Sequence, residues 1–118
     1  MIQYNVLDDI VEMDKGQEES LLKELVSLFQ TQTPLQFQKI NHGLTNKDAT
    51  EIGRAAHTLK SSCSYLGAME MVDICKKLET IQKGVVSWDE GSALYQRLQE
   101  LFATDSEDLR QYVKKVIH

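Results

Sequence analysis

One proline, Pro34, stands in 118 residues, and on both sides of it apolar residues recur every three or four positions. Leu21, Leu22, Leu25, Leu28 and Phe29 follow this spacing between Gln17 and Gln32. At about 100° per residue, such spacing gathers side chains on one face of a helix, whereas a half-buried strand needs strict alternation. Long stretches without proline leave few alternatives to helices. Aromatic residues make up 7% of the chain, too few to furnish the strands of a sandwich or barrel. The length suffices for one hydrophobic core without metal or disulfides, so a single domain over 1–118 is expected.

Local signals divide the chain. A short leading helix is expected from Val6 to Met13, with Leu7, Ile10 and Val11 as its apolar stripe, closed by a turn at Asp14-Lys15-Gly16. The next helix runs to Gln32. Thr33-Pro34 should interrupt it, because the residue before a proline avoids helical geometry. A following helix, offset or kinked, starts near Pro34 and buries Leu35, Phe37, Ile40 and Leu44. Asp48 is a candidate N-cap for a helix reaching Leu66, and Gly67 is placed to end it in a left-handed conformation. Met69 to Lys83 buries Met71, Ile74, Cys75, Leu78 and Ile81, and Gly84 stops it. The last helix starts between Ser87 and Asp89 on a seam including Leu94, Leu98, Leu101, Phe102, Leu109 and Tyr112, with Thr104-Asp105-Ser106 as a candidate break. The expected class is all-α: an antiparallel four-helix bundle with an additional short N-terminal helix.

Charge narrows the partners. The formal net charge of −5 disfavours nucleic acid and anionic lipid, both of which call for clustered Lys and Arg. The acidic run from Asp8 to Glu24 reads as a solvated helix face. No basic-then-apolar leader opens the sequence, and no apolar run approaches the roughly 20 residues of a membrane helix, so a cytoplasmic setting is expected. Cys63 and Cys75 lack CxxC spacing and fall on apolar faces, which predicts reduced, buried thiols. His42 and His118 have no metal-ligand spacing with His57, and no metal site is expected. A metal or cofactor bundle would need inward Glu and His, where this chain has Leu, Ile, Ala and Cys.

His57 is the residue that suggests chemistry. On a helical wheel Ile52, Ala55, Ala56, Leu59, Cys63 and Leu66 form the core side, and His57 points nearly opposite. Gly53 lies one turn before it, Lys60 and Ser61 one turn after, and Ser64 two turns after. An imidazole in the open middle of a helix, walled by small residues beside one lysine, suits a nucleophile that meets another protein's active site. An ordinary imidazole titrates at about 6.5, so its neutral form dominates near neutral pH.

The run Ala56-His57-Thr58-Leu59-Lys60-Ser61-Ser62-Cys63-Ser64-Tyr65-Leu66-Gly67-Ala68 resembles the signature of histidine-containing phosphotransfer (HPt) domains, A-H-x-L-K-G-S-S followed by a spacer and L-G-A. The resemblance extends to the short leading helix, to Leu22-Leu25-Leu28-Phe29 before Pro34, and to Cys75-Lys76-Lys77-Leu78-Glu79. It implies that His57 is the phosphoryl acceptor and Lys60 its electrostatic support. Ser61 departs from the usual glycine, and its hydroxymethyl group is expected beside the imidazole. Tyr65 replaces a smaller polar residue and reads as packing. By the same resemblance, His57 takes a phosphoryl group from a receiver-domain aspartate and passes it to another in a two-component phosphorelay. The chain is then a phosphocarrier without autokinase activity or cofactor of its own, with Mg²⁺ on the partner receiver. It is expected to be a monomer serving response-regulator receivers or a hybrid sensor histidine kinase, docked through Ile10 or Met13, Gly53, Ser61 and Ser64. The alternative is a non-phosphorylated helical adaptor with the same fold.

Overall fold

The computed structural model describes residues 2–13 and 20–116; the side chains of 11–13, 20 and 116 lie outside that description. Its α-helices are α1 (Tyr4–Met13), α2 (Ser20–Asn46), α3 (Ala49–Tyr65), α4 (Met69–Glu79) and α5 (Trp88–Val116), with a 3₁₀ turn at Thr80–Lys83. No strand occurs among the described residues; one isolated bridge joins Ile2 to Ala68. Helix α3 packs against α2 and α4, α5 closes the ring against the same two, and α1 lies on α2. The result is the expected four-helix bundle with a short leading helix. The turn at 14–16 falls outside the described residues.

The caps follow sequence chemistry. Asp48 accepts a hydrogen bond from the Glu51 backbone N–H, satisfying one of the free donors that open a helix. Ser87 and Glu90 form a reciprocal box at the start of α5: the Ser87 hydroxyl accepts from Glu90 N at 3.1 Å, and the Glu90 carboxylate accepts from Ser87 N at 3.4 Å. Gly67 (φ 74°) ends α3 and Gly84 (φ 73°) follows the 3₁₀ turn, both left-handed. At Gly67 the backbone must also be bare, since a Cβ there would stand 2.6 Å from the Gln3 carbonyl oxygen. Gln3 N in turn donates to Gly67 O at 2.7 Å, lacing the start of the chain to the α3–α4 turn.

Two expected breaks do not occur. Helix α2 continues through Pro34, because its buried stripe of Leu22, Val26, Phe29, Thr33, Phe37 and Ile40 runs past that point unbroken. Pro34 itself is exposed, so the carbonyl that loses its N–H partner can turn to water. Helix α5 likewise continues through 104–106. Asp105 occupies a core-facing step between Leu101 and Leu109 and is fully buried; burial above all pushes its carboxyl above the usual range, with the Asp108 and Glu70 charges acting in the same direction.

The α2 stripe also corrects two core assignments. Leu28 and Leu35 are exposed, at 48% and 46%. Val26 and Thr33, two residues earlier in each case and so on the opposite face, fill the core positions and turn both leucines outward. Edge-to-face contacts of Phe29 and Phe37 with Phe102, and of Phe37 with Tyr95, join α2 to α5 at centroid distances of 5.3 to 5.7 Å.

Candidate functional site

Helix α3 carries the site because its inner face leaves no freedom of rotation. Ile52, Ala55, Ala56, Leu59 and Cys63 are all buried, which fixes His57 on the outside with a side chain 70% exposed. Its Nδ1 lies 2.8 Å from Oε1 of Glu79, at the end of α4. The other oxygen, Oε2, accepts from Lys60 Nζ at 2.9 Å. One carboxylate therefore holds both residues picked out on α3.

This arrangement sets the proton on the ring. A carboxylate only accepts, so the imidazole nitrogen facing it carries the hydrogen, and in the neutral ring Nε2 keeps its lone pair. Glu79 stays charged to do this. Burial works against its ionised form, but the hydrogen bonds and charges of Lys60 and His57 outweigh burial and hold the carboxyl below its ordinary range.

Two hollows flank the dyad. The first, a cleft of about 800 Å³, is lined by His57 with Arg54, Lys76, Glu79, Gln82 and Lys83 among others. The second, a groove of about 640 Å³, presents Val6, Ile10, Ser61, Tyr65, Met69 and Val72, together with Lys60 and Ser64. Lys76 borders both. His57 lines only the cleft, and Lys60 only the groove.

Several expected positions shift. Gly53 is buried, not outward: the Gln82 side chain lies across it, with Nε2 1.8 Å from where a Cβ would be, and donates weakly to Thr50 O at 3.5 Å. The missing side chain thus admits Gln82 as the floor of the cleft. Ile10 is 8% exposed and belongs to the core, reaching the groove only by its edge. The Met13 side chain lies outside the described residues. Ser61 and Ser64 are exposed, but both line the groove and not the hollow that His57 lines. Tyr65 is no packing residue: it is 66% exposed, because the α3 core face ends at Cys63 and Leu66 and leaves position 65 over the groove.

The remaining candidates lie elsewhere. His42 bonds Glu51 at 2.5 Å, at the far end of α3. Cys63 and Cys75 are free and buried; the hydrogen bond between them, followed by burial, pushes the Cys63 thiol up. No group of three metal-ligating side chains occurs among the described residues, and no helix of the described residues is long and apolar enough to cross a membrane.

Comparison with known proteins bears on the family. The family model of the Hpt domain matches residues 24–116. The phosphorelay intermediate protein YPD1 of Candida albicans is 29% identical over 79 residues, which cover 67% of this chain and 42% of that protein's length.

Proposed function

This chain belongs to the Hpt domain family, and from that premise we propose that it is a phosphorelay carrier whose His57 accepts a phosphoryl group from a receiver-domain aspartate and delivers it to another. The observation that carries the reading is the orientation of the imidazole: Nδ1 is engaged by Glu79 at 2.8 Å on a ring that is 70% exposed, so Nε2 is the nucleophile.

In the forward step the Nε2 lone pair attacks phosphorus in line, the P–N bond forms, and the aspartyl P–O bond breaks to release a carboxylate. The ring gains positive charge as the bond forms, and the Glu79 carboxylate at Nδ1 offsets it. The second receiver's aspartate then attacks the same phosphorus, and the imidazole leaves neutral with its proton still on Nδ1. The transferring group is only loosely bonded at the transition state, so alignment and charge compensation supply most of the rate. Lys60 supports the site by pairing with Glu79.

Mg²⁺ chemistry belongs to the receiver in this reading, and the chain has no autokinase activity. Receivers dock beside His57, with the apolar groove around Tyr65 and Met69 as the contact. The deciding experiment is transfer from a phosphorylated receiver to the wild type and to His57→Gln. An acid-labile, alkali-stable label on the wild type alone supports the carrier; binding without label on either supports the helical adaptor.

A further inference from the structure

His57 and the lysine of its motif face different hollows. Lys60 borders the apolar groove. Its ammonium is 2.9 Å from Glu79 Oε2, and the two side chains are only 25% and 24% exposed. His57 borders the cleft, whose lining supplies Arg54, Lys76 and Lys83 against the single carboxylate of Glu79. None of these three cations forms an ion pair among the described residues, and all three are exposed. In a chain of net charge −5, this is a local concentration of uncommitted positive charge.

We propose that Arg54, Lys76 and Lys83, and not Lys60, are the cations that touch the phosphoryl group once it is attached to Nε2 of His57. The inference rests on the phosphocarrier reading and deepens it. Three arguments support it. Glu79 occupies the Nδ1 edge of the ring with Lys60 behind it, so the edge that receives the phosphoryl group is the one away from Lys60. Drawing Lys60 toward the phosphate would strip Glu79 of its main countercharge and leave a bare carboxylate close to a dianion. The guanidinium of Arg54, one turn before His57, and the ammonium groups of Lys76 and Lys83 break no existing pair when they turn to the phosphate.

The test uses the whole chain and phosphoramidate, a small phosphoryl donor that needs no receiver. Phosphorus NMR then follows the second ionisation of the phosphoryl group, which neighbouring cations hold down. Arg54→Gln, Lys76→Gln and Lys83→Gln are each expected to raise its midpoint by a few tenths of a pH unit, and the triple variant by about one unit. The paired variant Lys60→Gln/Glu79→Gln, which removes the ion pair as a neutral unit, is expected to leave the midpoint in place, as are Lys76→Arg and Lys83→Arg. All three positions are exposed, so the variants should fold, with circular dichroism as the check. A triple variant that labels and titrates like the wild type overturns this inference alone, as does a midpoint raised by the paired variant as far as by the triple one. Failure of His57 to take the label overturns the carrier reading and this inference with it.

Discussion

The Nδ1 atom of His57 and the Oε1 atom of Glu79 lie 2.8 Å apart, 22 residues apart in sequence. The contact makes the ring's tautomer a property of the α3–α4 pair and not of the histidine alone. Glu79→Gln keeps an acceptor for the Nδ1 proton, whereas Glu79→Leu removes it. Nitrogen NMR of the imidazole should show the Nδ1–H tautomer in the wild type and the glutamine variant, and a mixture in the leucine variant. Loss of a charge-assisted bond is worth about 1.5–3 kcal/mol, so transfer should slow by about 10- to 100-fold in Glu79→Leu. An unchanged tautomer ratio in that variant would remove Glu79 from the site.

The same carboxylate gives the site an acid limit. Its folded-state pKa is lowered, so its contribution to stability is present above the ordinary glutamate range, about 4.3, and is lost as pH falls through the lowered value. Carboxyl carbon NMR should therefore place Glu79 below the ordinary glutamate value, and Lys60→Met should bring it back up. A Glu79 that titrates at the ordinary glutamate value in the wild type would contradict the pairing.

An alkaline limit is expected from the other end of the molecule. The Tyr112 hydroxyl donates to Asp8 at 2.5 Å, tying α5 to α1. Burial, followed by that bond and the Asp8 charge, pushes Tyr112 up to about 12. The folded state thus favours the neutral phenol. Its stabilising effect is complete below about 10, the unfolded value, and disappears as pH rises toward 12. Tyr112→Phe should abolish this part of the alkaline instability, read as melting temperature against pH.

Gly67 and Gly84 make a controlled pair. Both are left-handed, but a Cβ at 67 meets the Gln3 carbonyl at 2.6 Å while one at 84 meets nothing within 4 Å. Gly84→Ala should cost only the conformational penalty of about 1–2 kcal/mol. Gly67→Ala should cost more, because it also displaces the segment bonded through Gln3. Denaturant unfolding of the two variants measures the difference, and equal losses would show that the Gln3 contact yields freely.

Tyr65 offers the plainest test of docking. A large aromatic, 66% exposed at the edge of an apolar groove, has the character of an interface anchor. Tyr65→Asp should weaken binding to a receiver by about tenfold or more, a loss of about 1.4 kcal/mol, while phosphoramidate labelling of His57 continues. Unaltered receiver affinity would place the interface elsewhere.

The α3 helix was readable because each of its signals is local: the cap at Asp48, the inward Ile52 to Cys63 periodicity, and the terminating Gly67. Leu28, Leu35 and Pro34 depart from the sequence pattern for one reason. The true stripe of α2 is selected by what α5 offers opposite, Phe102 and Tyr95, and helical spacing alone cannot distinguish Leu28 from Val26. A helical wheel leaves Gly53 open because it shows direction but not what lies across it, in this case Gln82. Glu79 is the site residue that local sequence signals do not reveal. It belongs to another helix, and its meeting with His57 depends on the length of the turn between them. An antiparallel pairing about residues 66–68 brings position 57 to the neighbourhood of 77–79, so the hairpin register held a usable clue.

Cys63 and Cys75 face one another inside the α3–α4 pair that also holds His57 and Glu79. Thiol-modifying reagents reach such a pair only when those helices part, so their reaction rate is an internal stopwatch for opening of the scaffold under the imidazole. A substitution that damages the chemistry alone leaves the stopwatch running at its original speed, whereas one that loosens the scaffold makes it run faster.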